Sequence, residues 1–161
     1  MTIEEWTLAL SVFFSGLASG LLGMLCMILR PMLQAKDGRD FRNFMEEFLR
    51  FADHSSGRAY NLGWSLVMGI GPIVALVLLW DDPGSTAFIL TAMGVAIVLV
   101  GVWLVSNMWK TPTYNVILSW DPEALPADWE AVRRRYLTIN WIQLATTWAA
   151  FALFLVALIS L

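Results

Sequence analysis

The sequence predicts an all-α, polytopic membrane protein: a bundle of four transmembrane helices with a cytoplasmic amphipathic helix. Three observations predict it. Of the 161 residues, 58% are hydrophobic and only 14% are Asp, Glu, Lys or Arg, against about 25% in a soluble domain. Four long stretches carry no charged residue and no histidine. All ten Lys and Arg residues lie in the two long connections between those stretches. A water-soluble domain of this size would have to bury nearly all of that apolar surface in one core, and its surface-to-volume ratio forbids this. An aromatic content of 13% excludes disorder. The single cysteine, Cys26, excludes a disulfide framework. A net charge of −3 without a basic stripe argues against nucleic acid as a partner.

The first uncharged stretch covers 6–29. Its leader, Met1-Thr2-Ile3-Glu4-Glu5, is acidic, and Arg30-Pro31-Met32 follows it in place of a small-Xaa-small cleavage site. It therefore reads as a retained helix and not as a signal peptide. Ser15, Ser19 and Gly23 recur every four residues, with Gly16 and Gly20 beside them. Such spacing lets helix backbones approach closely, within the bundle or across a homo-oligomer interface. Next comes an amphipathic segment, 38–54. Phe41, Phe44, Met45, Phe48, Leu49 and Ala52 share one face, and Arg42, Glu46, Arg50 and Asp53 the other. That pattern suits a helix at the membrane surface, either an anchor or a lid for an apolar substrate.

The second stretch, 61–80, contains Gly69, Gly71 and Pro72. Pro72 removes one backbone hydrogen bond, frees the carbonyl of Met68 and favours a kink. The short turn Asp81-Asp82-Pro83-Gly84 makes the second helix and the third, 85–109, antiparallel neighbours. Residues 110–135 read as a structured loop, punctuated by Pro112, Pro122 and Pro126 and weighted by Trp120 and Trp129. Asp128 has the character of an N-cap, so the helix of the fourth stretch, 136–161, starts early and projects from the membrane. Each stretch reaches the roughly 20 residues that a helix needs to cross a hydrocarbon core. The whole chain, 1–161, is one membrane domain. The positive-inside rule puts both basic connections in the cytoplasm and both termini outside, in a plasma (bacterial inner) membrane.

Polar residues inside the stretches form two stripes. His54, Arg58, Asn61 and Ser65 follow helical spacing into the second helix. Arg133, Tyr136, Asn140, Gln143 and Thr147 do the same into the last. Ser106 and Asn107 close the third helix at the same level, and Asn115 follows. Polar side chains in lipid face other helices, as interhelical bonds or as a pocket. As a pocket, the site would comprise Arg58, Asn61, Asn107, Asn115, Tyr136, Asn140 and Gln143 around a substrate. His54, the only histidine, has the unperturbed pKa of a general base. One His and one Cys make no metal-ligand set. No phosphate loop, dinucleotide fingerprint or serine elbow is present.

The chain resembles the anthrone-oxygenase-like family of small four-helix membrane proteins. The resemblance rests on the small-residue first helix ending near Arg30-Pro31, on Pro112 with Asn115, on Trp120-Asp121-Pro122, on Asp128-Trp129, and on Arg133 to Asn140. The pattern departs from the family's where Tyr136 replaces a Trp and Gln143 an Arg, and where two residues separate Pro112 from Asn115. The resemblance implies oxygenation of an anthrone-like aromatic without a cofactor. A base removes a proton beside an aryl ketone, and the enolate reacts with O₂ directly. That chemistry asks for an apolar slot, a base such as His54, and donors for the enolate oxygen. Two other functions fit the same sequence. One is a non-catalytic accessory or scaffold subunit of a larger membrane complex. The other is a binder of an apolar small molecule such as a quinone or lipid.

Overall fold

The computed structural model describes residues 2–161, and among them the side chains of all but 60, 61 and 64–66. Apart from an isolated bridge between Asp121 and Ala124, the regular structure is entirely helical. The helices are α1 (Ile3–Ala35), α2 (Gly38–Ala52), α3 (Ser55–Leu78), α4 (Thr86–Leu118) and α5 (Trp129–Ile159). Three of them, α1, α4 and α5, are long and apolar enough to cross a membrane. The expected uncharged stretches fall within α1, α3, α4 and α5, give or take a residue or two at their ends.

Local chemistry accounts for several helix starts. Thr2 and Glu5 form a reciprocal capping box on α1, with bonds of 2.9 and 3.3 Å. Asp37 caps α2 by accepting from the Asp40 N–H at 2.8 Å, and Ser85 caps α4 by accepting from Phe88 at 3.2 Å. Asp128 does occupy the N-cap position of α5, but its side chain makes no capping bond; its backbone carbonyl accepts instead, from Ala131 and Val132.

Several small polar residues are buried while many large apolar ones are exposed. Ser11, Ser15, Ser19, Thr91 and Thr147 are buried, while Phe13, Val77 and Trp148 are exposed. In the apolar stretches of α1, α4 and α5 no more than 33% of the residues are buried. The buried hydroxyls are satisfied on their own helices. Ser11, Ser15 and Ser19 each donate to the carbonyl four residues back, at 2.6–2.8 Å. Small side chains with internally closed hydrogen bonds let α1 pack tightly against α3 and α5. Gly20 is exposed, and a Cβ added there or at Gly23 would meet nothing within 4 Å.

Between α4 and α5 the contact is closer still. A Cβ on Gly94 would overlap the Phe154 ring, and one on Gly101 would overlap Thr146. Only glycine permits that approach.

The residues expected to form a loop after position 109 are partly helical: α4 runs on to Leu118. The signal that misleads is Pro112. Its ring is accommodated because α4 widens into π-helical turns over Val98–Leu104 and Ser106–Lys110 just before it. Proline then falls in the first turn of the α-helical segment that follows, where a missing N–H costs least. Pro31 stands in the same relation to a π segment in α1, Leu25–Leu29.

Two cores result. One lies within the bundle and contains Leu8, Met68, Val98, Ala150 and Phe154. The other lies at the end where α2 packs, and contains Leu33, Phe41, Met45, Ile117, Trp120 and Tyr136. Arg133 ties this second core together. Its guanidinium donates to the Lys36 carbonyl at 2.6 Å, at the C-terminal end of α1, and stacks 4.6 Å from the Trp129 ring. A cation there also favours the helix dipole.

Candidate functional site

Between the two cores lies a cavity of about 580 Å³. Its size falls within the range of small-molecule sites, about 300–1,000 Å³. Leu21, Leu22 and Leu25 of α1 form one wall. Phe48, Leu49 and Ala52 of α2 form another. Met68 of α3 and Val102 and Trp103 of α4 complete the apolar lining. The amphipathic helix is thus divided along its length. Phe41 and Met45 are anchored in the second core, and the residues one to two turns later cover the cavity.

The wide turns explain why space exists here. Leu25 opens the π segment of α1, and Val102, Ser106 and Lys110 belong to those of α4. A π turn displaces the backbone from the straight α-helical path, and such turns concentrate at functional sites. Pro72 adds to the effect: it has no N–H, so the carbonyl of Met68 lacks its partner in the helix ladder.

One end of the cavity is polar. Lys110 Nζ donates to Gln143 Oε1 at 2.7 Å, and Gln143 Nε2 donates to Ser106 Oγ at 2.7 Å. Gln143 therefore bridges α5 to two successive turns of α4. Asn107 also lines the cavity, but its Nδ2 is held by the Trp103 carbonyl at 2.8 Å. Tyr114 borders the same end, its ring 5.7 Å from that of Tyr136. Tyr136 and Asn140, one turn apart on α5, are both buried. The Asn140 Oδ1 is buried and makes no hydrogen bond.

The structure divides the residues expected at the site. Asn107 and Gln143 line the cavity; Tyr136 and Asn140 are buried but do not line it, Tyr136 lying against the Tyr114 ring. His54, Arg58 and Asn115 are exposed and line no part of it. His54 sits at the N-cap position of α3, with Nδ1 3.4 Å from Ser55 Oγ and 3.5 Å from Ser56 Oγ. Arg58 is committed to Asp53 by two hydrogen bonds of 3.0 and 2.7 Å, which raise its guanidinium pKa further. The side chain of Asn61 lies outside the described residues.

Lys110 and Tyr114 line the site although neither is among the residues the sequence suggests for it. Lys110 is the only Lys, Arg, His, Asp or Glu among the described lining residues. Among the described residues, no carboxylate forms an ion pair with it. The signal was present, because Ser106, Lys110 and Tyr114 are spaced four apart on one helical face. It shows only once α4 is known to continue beyond residue 109. Cys26, by contrast, is buried in apolar surroundings with Leu22 and Leu144. Comparison with known proteins brings no match to this chain, whether with family models, curated proteins or solved structures.

Proposed function

We propose that the chain crosses the membrane four times and binds an apolar small molecule, of the quinone or lipid kind, in the cavity between its two cores. In this reading α3 is the fourth span, its polar start lying at the interface and its apolar part, Val67–Leu78, in the lipid. The α2 helix and both basic connections lie on the cytoplasmic side, as the positive-inside rule requires. The cavity then sits at the inner end of the bundle, roofed by α2.

The observation that carries the reading is the cavity's make-up: leucine, phenylalanine and tryptophan walls, with one fixed polar end at Ser106, Gln143 and Lys110. Small-molecule sites combine apolar walls with a few convergent polar groups in this way. The test is mass spectrometry of the full chain purified in mild detergent. A small apolar molecule is expected to accompany the protein and to be lost from a folded Ala52→Phe variant, which fills the roof. A wild-type protein that carries none, and that takes up neither a short-chain quinone nor a single-chain lipid when these are added, would sink the proposal.

A catalytic version is favoured by one observation, a cation and a hydroxyl at the end of an aromatic-lined slot. In the oxygenase chemistry that the family resemblance implies, Lys110 and Ser106 would receive the enolate oxygen. The position of His54 outside the cavity leaves the base of that reaction to another group. Turnover of an anthrone with O₂ that persists in His54→Ala removes His54 from it.

A further inference from the structure

Resting on the cavity reading above, we infer that its ligand is an acid: an apolar molecule bound as a carboxylate, with the head on Lys110 and the tail along the leucine wall. The argument starts from the hydrogen-bond inventory. An ammonium has three donors. Lys110 gives one to Gln143 Oε1 at 2.7 Å. The amide nitrogen of Gln143 is occupied by Ser106 Oγ at 2.7 Å, so the glutamine holds both of its neighbours in place. The Ser106 hydroxyl, which accepts there, donates to nothing among the described residues. Two kinds of donor are thus held one helical turn apart at the same end of an apolar space.

Charge argues the same way. A cation removed from water is costly unless it is paired and hydrogen-bonded. Several other cations of this end have charged or carbonyl partners, and Arg30 and Lys36 lie over the Trp141 and Phe44 rings. Arg42 pairs with Glu46, Arg58 with Asp53 and Arg39 with Glu123. Arg133 lies on the carbonyls that end α1. Lys110 faces the cavity with a neutral amide as its described partner and no carboxylate in the lining. Ionisable residues inside membrane bundles characteristically mark ligand paths. An anion arriving from outside the chain supplies the missing charge.

The donor set selects among anions. Bidentate recognition of phosphate is the work of arginine forks, and lysine meets phosphate as a point charge among other donors. One ammonium beside one hydroxyl matches the two oxygens of a carboxylate instead. The apolar walls then require the rest of the molecule to be hydrocarbon or aromatic.

Equilibrium binding of three radiolabelled probes with one common tail tests this: decanoate, decanol and decyl phosphate. The full chain is held in nanodiscs, and binding to empty nanodiscs is subtracted. Decanoate is expected to bind about ten-fold or more tighter than decanol, the effect of one charge-assisted hydrogen-bonded head. Lys110→Met should bring decanoate down to the level of decanol and leave decanol unchanged. Lys110→Arg should keep most of the preference. The comparison of probes on the unaltered chain decides the question even where a variant fails to fold. Equal binding of decanoate and decanol overturns the acid while leaving the cavity reading intact. Tighter binding of decyl phosphate overturns the carboxylate. If none of the three binds, the cavity reading falls and the inference falls with it.

Discussion

Gln143 joins two helices through both ends of one amide. Its oxygen takes the Lys110 ammonium and its nitrogen the Ser106 hydroxyl. Replacing it with leucine leaves two polar groups without their partner, at a cost of about 1–3 kcal/mol. The expected outcome is a lower unfolding midpoint in detergent for Gln143→Leu. Gln143→Glu, by contrast, gives Lys110 an internal carboxylate and should weaken decanoate binding without loss of fold. Arg133 makes a second case. It binds the carbonyls that end α1 and stacks on Trp129. Arg133→Ala should destabilise by about 1.5–3 kcal/mol. Arg133→Lys should recover only part of this, because lysine keeps the charge but lacks the flat fork. Thermal unfolding of the purified variants checks both. The stripes in the sequence identified Gln143, Asn140 and Tyr136 correctly as inward-facing because they lie within one continuous helix, α5. The stripe at the start of α3 misleads because regular spacing does not say which way a helix face turns: His54 and Arg58 both lie on the exposed side.

At the scale of the elements, the contact between α4 and α5 is set by Gly94 and Gly101, seven residues apart. A branched side chain at Gly101 has to push Thr146 away, and overpacking of this kind costs about 1–3 kcal/mol. Gly101→Val is therefore expected to lower the unfolding midpoint clearly. Gly20→Val, on a face with no neighbour, should move it by no more than about 0.5 kcal/mol. If both variants behave alike, the close approach of α4 and α5 is wrong. The paired glycines were visible in the sequence, but nothing there said which helix they would meet. The π segments were not visible at all. They break no composition rule; they are a compromise of packing between neighbouring helices. Their consequence was read in reverse, since Pro112 looked like the start of a loop and is the start of a new run of α-helix.

At the scale of the molecule, two cores enclose one cavity. The second core, built from α2, the ends of α1 and α4 and the start of α5, gathers both long connections at the same end of the fold. In the orientation proposed above, Lys36 and Arg134 lie on one side of the membrane, in keeping with the bond from Arg133 to the Lys36 carbonyl. With Cys26 replaced by alanine, single cysteines at Lys36 and Arg134 should react with an impermeant thiol reagent from the same side. A cysteine at Asp82 should react from the opposite side. Labelling of Lys36→Cys and Arg134→Cys from different faces would contradict both the bundle and its proposed orientation.

The amino-acid sequence alone predicted the helices and their apolar character, but not the run of α4 over 110–118. That information is local: a helix closes its own backbone hydrogen bonds, and a run without charges partitions into lipid whatever its neighbours do. Only the tertiary structure decided which polar residues share a space. That choice depends on the rotation of each helix about its axis, and a single π turn changes the rotation for every residue beyond it. Lys110, in the last of these turns, lines the cavity, while Asn115, only five residues on, and His54 are left at the surface.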